Sequence, residues 1–441
     1  MASTESLSLA DKGQRLGLRL IAKAGGLPGL KDKEVRARVE KWLYKGAVSG
    51  FKAQTAAGRA FAKQKGAGSP TRAVPARPKQ MFDLTPSQDQ QMIQGVAREL
   101  AKEVVRPAAA KADAERAVPE EVRAAAAEMG LHLVGVPAEL DGIAEERYAV
   151  TAAIVLEELA RGDMGIAAAI MAPAAVATAI ASYGDADQQA TYLPEFTGEN
   201  PPTAALALHE PQPLFDPFAL KTTGRVEGDE IVLDGIKAIV PGAETADLFV
   251  VSAAIDGRAR LVIVRPGTDG VQVEDDPAMG MRAARTARLH LEAVRVPASD
   301  LLGTAEDHDD AVRRARLAWA AAAVGTSQAV LDHVSEYVKE RKAFGEPIGY
   351  RQAVAFTVSD IAIELAGLRL VVWKAAARLD RGEDASAEIA QARSLVARHG
   401  TWIGSNGVQL LGGHGFVKEF DNERWYRDLR GAGVLEGTLL V

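Results

Sequence analysis

The sequence contains no cysteine among its 441 residues. This absence excludes disulfides, thiolate catalysis and cysteine-ligated zinc or iron–sulfur sites, and it suits a reducing compartment. No uninterrupted apolar run approaches the ~20 residues that a membrane-spanning helix needs. The first residues lack the basic-then-apolar order of a secretory signal. We therefore expect a cytoplasmic location.

Nucleotide-binding signatures are missing as well. The chain has no P-loop and no Gly-x-Gly-x-x-Gly turn after a strand, which argues against a Rossmann site. We find no repeat at a solenoid period and predict no metal site. Hydrophobic residues make up 47% of the chain and charged residues 25%, as in globular proteins of more than one domain.

Charge is distributed unevenly along the chain. Residues 1–80 contain 17 Lys/Arg against 5 Asp/Glu, a balance of +12. Because the whole chain carries −7, residues 81–441 carry −19. A basic arm of this kind seeks an acidic surface, either anionic lipid, nucleic acid or the protein's own acidic body. Trp42 and Tyr44 beside Lys41 and Lys45 favour an interfacial helix and a membrane-surface contact. The arm lacks the aromatic interleaving of a nucleic-acid platform.

Hydrophobic patterning divides the rest of the chain into three regions. Residues 66–78 are rich in Gly, Pro, Ser and Arg and are predicted to be a linker, which closes an N-terminal extension over 1–80. Helical periodicity covers 81–202, short aliphatic strands separated by turns cover 203–304, and long helical stretches cover 305–441. The predicted class is α+β, mostly α, with a central antiparallel barrel or sandwich.

The end of the chain carries the most informative motifs. Residues 407–416 read Gly-Val-Gln-Leu-Leu-Gly-Gly-His-Gly-Phe, an Arg-Asp pair stands at 427–428, and residues 435–438 read Leu-Glu-Gly-Thr. Upstream, residues 340–345 read Glu-Arg-Lys-Ala-Phe-Gly and residues 296–303 read Val-Pro-Ala-Ser-Asp-Leu-Leu-Gly. Together these phrases resemble the acyl-CoA dehydrogenase family over residues 81–441.

The resemblance implies a helical domain, a small β-barrel and a C-terminal four-helix bundle, with one FAD per subunit shared across a dimer interface. It implies a homodimer or homotetramer in fatty acid metabolism and lipid degradation, with acyl-CoA as substrate and an electron-transfer flavoprotein as partner. It also implies α,β-desaturation, in which Glu436 removes the α-proton and the β-hydride leaves to flavin N5. Such a base needs a pKa raised towards neutrality by an apolar pocket.

Further residues carry over by position. A guanidinium grips a pyrophosphate bidentately, so Arg341 is assigned to the cofactor phosphates with Phe344 packing nearby. Glycines let a cofactor approach the backbone closely. The residues assigned to cofactor are Arg341, Phe344, Gln352, Gln409, Gly412, Gly413, Thr438 and His209. Arg316 and Gly437 are assigned to substrate.

Two loops depart from the family pattern. The family reads Thr-Glu-Pro-x-x-Gly-Ser-Asp where residues 209–216 read His-Glu-Pro-Gln-Pro-Leu-Phe-Asp, and Trp-Ile-Thr where residues 239–241 read Ile-Val-Pro. Three hydroxyl donors are lost, and Pro241 has no backbone N–H. The His209 imidazole can replace one donor. These losses leave an alternative open: a partner-dependent or non-catalytic subunit of a heteromeric dehydrogenase, with altered flavin loops. A flavin oxidase or oxygenase is a further alternative, against which the retained Glu436 argues.

Overall fold

The computed structural model describes residues 84–144, 148–198 and 200–438. Predictions about the basic arm, residues 1–80, fall outside these ranges and stay predictions. The domain boundaries drawn after residues 80, 202 and 304 also stay predictions.

The first region is helical. Helix α1 begins with a capping box, in which the Ser87 hydroxyl accepts the Gln90 N–H at 3.2 Å and the Gln90 side chain accepts the Ser87 N–H at 3.0 Å. These bonds satisfy two N–H groups that a helix start leaves free. A π-helical turn, Ala101–Val105, joins α1 to α2. The helices are α1 Gln88–Leu100, α2 Arg106–Glu115, α3 Glu120–Glu128, α4 Ala149–Gly162, α5 Met164–Tyr183 and α6 Ala186–Thr197.

Helix α5 is apolar along its 20 residues, so the expectation that no apolar run approaches the length of a membrane span was wrong. By length and composition it could cross a membrane, yet 67% of its most apolar window is buried inside the protein. Ile166, Val176 and Ile180 are fully enclosed by neighbouring helices and by the sheet. We therefore assign α5 to the core, where a helix that is hydrophobic all round belongs.

The middle region is a sheet of eight short strands in the described chain. The aliphatic strands follow the pattern seen in the sequence, and inward side chains such as Ile231 and Leu233 are buried. Gly228 forms a turn between two of the strands, in the left-handed region. The strands are β1 Ala204–Ala207, β2 Thr223–Glu227, β3 Glu230–Val240, β4 Leu248–Ile255, β5 Arg258–Val264, β6 Val271–Asp275, β7 Ala287–Pro297 and β8 Leu301–Leu302.

The predicted fold class, with helices, a central sheet and a C-terminal bundle, is confirmed, but the sheet does not close into a barrel. The strand order is β6-β7-β3-β2-β4-β5-β8, and the two end strands do not pair with each other. Strand β8 has only two residues and β6 presents an exposed surface, so neither provides a ladder that could close the sheet. The sheet is also mixed, since β1 pairs with β4 in parallel. Its inner face packs on α5 and α6.

Three long helices and a short one form the last region, which confirms the expected helical bundle. Helix α4 of the first region packs along α7 as a further member. Between α7 and α8 lies a small hairpin, β9 Lys342–Ala343 and β10 Glu346–Pro347. The helices are α7 Ala305–Glu340, α8 Gln352–Asp380, α9 Ser386–Leu411 and α10 Asn422–Leu429.

Helix α10 ties the three regions together. Arg424 Nε lies 2.9 Å from Asp163 Oδ2 at the start of α5, and Arg427 Nη1 lies 2.9 Å from Asp113 Oδ1 on α2. The Asp428 carboxylate accepts the Met281 N–H from the loop before β7. Burial, together with the nearby charge of Asp163, raises the pKa of Asp428 to about 8. These buried contacts fix the direction of the chain that leads to Glu436.

Candidate active site

Glu436 lies in a buried turn after α10. Only 8% of the residue is exposed, and its backbone φ is 56°, in the left-handed region. Gly437 follows with φ 111°. A non-glycine residue keeps a left-handed conformation only where its surroundings hold it there. The turn is therefore a position that the rest of the fold must fix.

Arginines from two helices hold this turn. Arg316 Nε on α7 donates to the Glu436 carbonyl at 2.9 Å, and Arg393 Nη2 on α9 donates to the Gly437 carbonyl. A hydrogen bond to a charged group contributes about 1.5–3 kcal/mol. A Cβ built on Gly437 would come within 2.7 Å of Arg316 Nη2 and 2.8 Å of Pro217 Cδ. Glycine is thus required at 437 by both space and conformation.

The Glu436 carboxyl is only partly satisfied. Trp319 Nε1 on α7 donates to Oε1 across a long 3.4 Å, and Oε2 is buried without a partner. Burial raises the pKa of Glu436, while the Trp319 hydrogen bond and the charges of Arg393, Arg316 and Lys237 oppose that rise. The result is a buried carboxyl with a raised pKa and one free oxygen, the arrangement of a general base.

A loop between β1 and β2 covers the turn. The Phe215 carbonyl accepts the Thr438 N–H at 2.9 Å. The buried Phe215 ring contacts the His209 ring edge-on, with centroids 4.7 Å apart. His209 Nδ1 is buried without a partner. Burial, with help from the charge of Lys237, lowers the pKa of His209 to about 4. At neutral pH His209 is therefore an uncharged imidazole with an unused ring nitrogen.

A buried ion pair shapes that loop. Lys237 Nζ on β3 lies 2.8 Å from Glu210 Oε1 and 2.9 Å from the Ser252 hydroxyl, with both charged side chains almost fully enclosed. The Glu210 carboxylate also accepts the backbone N–H groups of Lys221 and Thr222 at 2.9 and 3.0 Å. The carboxylate thus closes the loop on itself and holds Phe215 beside the Glu436–Thr438 turn.

The second altered loop offers few donors. The Ile239 N–H is directed at Asp276 Oδ2, 3.2 Å away, and the Ala238 N–H donates to the His209 carbonyl at 3.0 Å. Pro241 has no N–H to offer. His209 is therefore the donor that this side of the site retains.

The remaining predicted cofactor residues form a separate, exposed group. Arg341 ends α7, Phe344 lies 96% exposed in the β9–β10 hairpin, and Gln352 begins α8. Gln409 and Gly412 stand at the end of α9. In the described part of the chain no hydrogen bond or ion pair joins the Arg341, Gln352 or Gln409 side chains to Glu436.

The ends of α7 and α9 meet within this exposed group. Tyr337, one turn before Arg341, has its hydroxyl 2.8 Å from His414 Nδ1 and 3.4 Å from the Leu411 carbonyl. A Cβ added at Gly412 or Gly413 would meet nothing within 4 Å, so the backbone there faces open space. Such bare backbone beside an exposed guanidinium suits an extended anionic group.

An apolar cavity of about 180 Å³ lies among α4, α5, α7 and β1. Helix α7 is also one of the helices that hold the Glu436 turn. Small side chains line most of it, including Ala152, Ala175 and Ala315. Leu317 and Ala318 of its wall directly flank the α7 residues that contact Glu436. The cavity and the Glu436 turn therefore both adjoin α7.

Sequence reasoning missed several of these residues. Arg393, Trp319 and Lys237 all act on the site, yet none belongs to a motif singled out in the sequence. One signal existed: Arg393 occupies an apolar position of α9, since Ile389, Ala392 and Val396 around it are buried. A charge in a buried helical stripe indicates a role that burial alone does not explain.

Family models for acyl-CoA dehydrogenases match all three regions. The N-terminal domain model matches residues 87–199, the middle domain model 205–294 and the C-terminal domain model 309–440. The chain belongs to the acyl-CoA dehydrogenase family. The resemblance seen in the sequence is thereby confirmed, and so is its assignment as an FAD-dependent oxidoreductase.

Known acyl-CoA dehydrogenase-family proteins resemble this one over most of its length. The 3-(aryl)acrylate reductase of Clostridium sporogenes is 32% identical over 366 residues, covering 80% of this chain and 96% of that protein. The mitochondrial short-chain specific acyl-CoA dehydrogenase of Bos taurus is 32% identical over 361 residues, covering 79% and 86%. A chain from a structure of the electron transferring flavoprotein of Acidaminococcus fermentans superposes with a TM-score of 0.75 at 27% identity, covering 81% and 96%.

The residues present fit FAD. The orphaned His209 Nδ1 provides a buried polar atom on one side, and the open backbone at Gly412 and Gly413 provides a cradle on the other. Arg341 and Gln409 supply exposed donors beside that cradle. The altered loops offer fewer hydrogen-bond donors to the cofactor. They do not occupy the exposed half of the site, which is the group of residues at the ends of α7 and α9.

Proposed function

We propose that this acyl-CoA dehydrogenase desaturates an acyl-CoA thioester between its α and β carbons, with Glu436 as the base. The observation that carries this proposal is the free, buried Oε2 of Glu436 on a turn held by arginines. Removing an α-proton requires a carboxylate whose pKa is raised and whose position is fixed. Both properties belong to Glu436.

The chemistry divides between this chain and its cofactor. Glu436 Oε2 accepts the α-proton, and the raised pKa makes the carboxylate a stronger base than one in water. FAD, when bound, accepts the hydride from the β-carbon. Among the described residues the Glu436 N–H has no hydrogen-bond partner, which leaves it available to polarise the thioester carbonyl. Arg341 and Gln409 would hold the cofactor from the exposed half, and His209 from the buried half.

The cavity supports a compact acyl group as the substrate. An apolar cavity of about 150 Å³ is enough to hold a benzene ring. The cavity here, about 180 Å³ and with alanines at nine of its twenty lining positions, suits a short, branched or ring-bearing acyl chain. The aryl and short-chain acyl groups in the names of the two relatives agree with this size.

A homo-oligomer and an electron-transfer flavoprotein are the partners that we propose. Exposed apolar side chains Phe356, Ile363 and Leu370 recur every seven residues along α8. Large apolar side chains exposed along one helix face are typical of a contact surface. The family match over all three regions and the intact Glu436 favour an enzyme over the non-catalytic subunit considered from the sequence.

Anaerobic spectroscopy tests the proposal. The purified protein should show a flavin spectrum that bleaches when 3-phenylpropionyl-CoA or butyryl-CoA is added. Glu436→Gln should keep the spectrum and lose bleaching by about 10²–10⁴-fold, the usual contribution of a general base. Glu419→Gln, at an exposed position, is the control and should bleach normally. Bleaching of Glu436→Gln at the wild-type rate contradicts the assignment of the base.

A further inference from the structure

Arg393 is a buried cation for which the family motifs provide no role. It lies on α9 with 5% of its surface exposed, among the buried side chains Ile389, Ala392 and Val396. No carboxylate in the described chain lies within ion-pair distance of it. A guanidinium without an ion-pair partner is costly to bury, so its retention calls for an interaction that needs its charge or geometry.

The contacts of Arg393 converge on the proposed base. Its Nη2 donates to the Gly437 carbonyl, while Arg316 Nε from α7 donates to the preceding carbonyl, that of Glu436. Two consecutive carbonyls of the left-handed turn are thus held by guanidinium groups from two different helices. Arg393 Nη1 remains buried without a partner, as does Glu436 Oε2.

The two arginines differ in their surroundings. Arg316 is partly exposed and lies over the Phe218 ring at 5.4 Å, close to the Asp216 carboxylate. Arg393 is enclosed, and the acidic group that acts on it is Glu436. Its pKa falls to about 10 through burial, with a smaller effect from Arg316, which leaves it charged at neutral pH. The charge of Arg393 is therefore directed at the base.

We propose that Arg393 is a positioning residue for Glu436: it fixes the Glu436–Gly437 turn through the Gly437 carbonyl and keeps the buried carboxylate ionised by its charge. This inference rests on the proposed function. The other charged groups that act on the carboxylate are Arg316 from α7 and Lys237 from β3, and Lys237 is itself neutralised by Glu210. Arg393 and Arg316 are therefore the two cations near the carboxylate that are not neutralised by a buried ion pair, and loss of Arg393 removes one of them.

The sign of the effect follows from this charge. A cation beside a carboxylate lowers the pKa of that carboxylate, so removing Arg393 raises the pKa of Glu436 further. The base is active when ionised, and the pH profile of substrate-driven flavin reduction should therefore move to higher pH. Loss of the carbonyl contact should also misplace the base, and a misplacement of about 1 Å costs on the order of 100-fold in rate.

The experiment compares Arg393→Gln, Arg393→Lys and the exposed Arg398→Gln, each as FAD-loaded protein. Rates of anaerobic flavin reduction are measured against pH and acyl-CoA concentration, with flavin content and thermal midpoint as checks of folding. Arg393→Gln should lose about 100-fold in the limiting rate with little change in the substrate concentration for half-saturation, and its profile should shift alkaline. Arg393→Lys should restore the profile but not the rate. Arg398→Gln should match the wild type.

Each outcome has a defined meaning. Wild-type rate and pH profile in Arg393→Gln overturn the positioning role. Where Arg393→Gln fails to fold, Arg393→Lys decides, since a slow rate with a normal profile supports the role and wild-type turnover overturns it. Glu436→Gln separates the two proposals: if it still bleaches, the proposed function fails. If Glu436→Gln is inert while Arg393→Gln is normal, only the inference about Arg393 fails.

Discussion

The two halves of the site differ in how completely one chain builds them. Around Glu436, the described contacts come from Arg316, Arg393 and Trp319 of the same chain, and the group is buried. The cofactor residues at the ends of α7 and α9 are exposed instead, with Phe344 96% and Phe416 86% accessible. The base half is built from contacts within one chain, and we propose that a second subunit completes the exposed half.

This difference explains which departures from the family the protein tolerates. The altered loops belong to the buried half, where the Phe215 ring packs on the His209 ring. The exposed half keeps Arg341, Gln409 and the glycines unchanged. A surface that must fit a second molecule has less freedom to change than a pocket that can repack internally.

The largest effect expected from a small change falls on the base half. Gly437→Ala places a Cβ against Arg316 Nη2 and Pro217 in a backbone conformation that alanine resists. We expect flavin reduction by acyl-CoA to fall about 100-fold with FAD still bound, because the turn moves while the exposed half does not. Gly267→Ala, whose Cβ would meet nothing within 4 Å, is the control. Normal reduction rates in Gly437→Ala would remove the steric argument for the turn.

A change in the exposed half should act on binding instead. Arg341→Ala removes a charged donor, and such a hydrogen bond to phosphate is worth about 1.5–3 kcal/mol. We therefore expect FAD to bind about 10- to 100-fold more weakly, measured as flavin retained after dialysis. Arg381→Ala, another exposed arginine, should retain FAD. If both variants retain the same amount of FAD, Arg341 does not bind the cofactor.

The apolar stripe on α8 offers a smaller test of the same comparison. Ile363→Asp places a charge in the proposed contact surface and should weaken self-association by at least about 10-fold, since burying an isoleucine contributes about 1.5–3 kcal/mol. Analytical ultracentrifugation over a dilution series measures this directly. Ile363→Leu should associate as the wild type does. An unchanged oligomer in Ile363→Asp would place the contact on another face.

The smallest effect concerns His209. Its pKa of about 4 means that it gains a proton only as the pH falls towards that value. His209→Asn should therefore leave the shape of the pH profile unchanged above about pH 5, with only a modest loss in flavin affinity. A change in an ionisation near neutral pH on this substitution would show that His209 titrates in the active range.

Motifs that are continuous in the sequence were predictable, and contacts between distant segments were not. The order of helices, sheet and helices follows from periodicity, and the family follows from the phrases around Arg341 and Glu436. Whether the central sheet closes into a barrel could not be predicted, because strand length and turn spacing do not reveal whether β6 and β8 meet. Arg393 was missed because its partner, the Gly437 carbonyl, lies 44 residues away and depends on how α9 packs.

Subunit complementation tests most directly the claim that each site joins the base half of one chain to the exposed half of another. In this account Glu436→Gln lacks the base and Arg341→Ala binds FAD more weakly, so at limiting FAD each variant has low activity. A mixed dimer contains one site with an intact Glu436 and the partner's intact Arg341. Co-expression should restore about a quarter of wild-type activity in the randomly paired mixture, and about half in mixed dimers isolated through two affinity tags. Activity no higher than that of the separate variants would contradict the shared site.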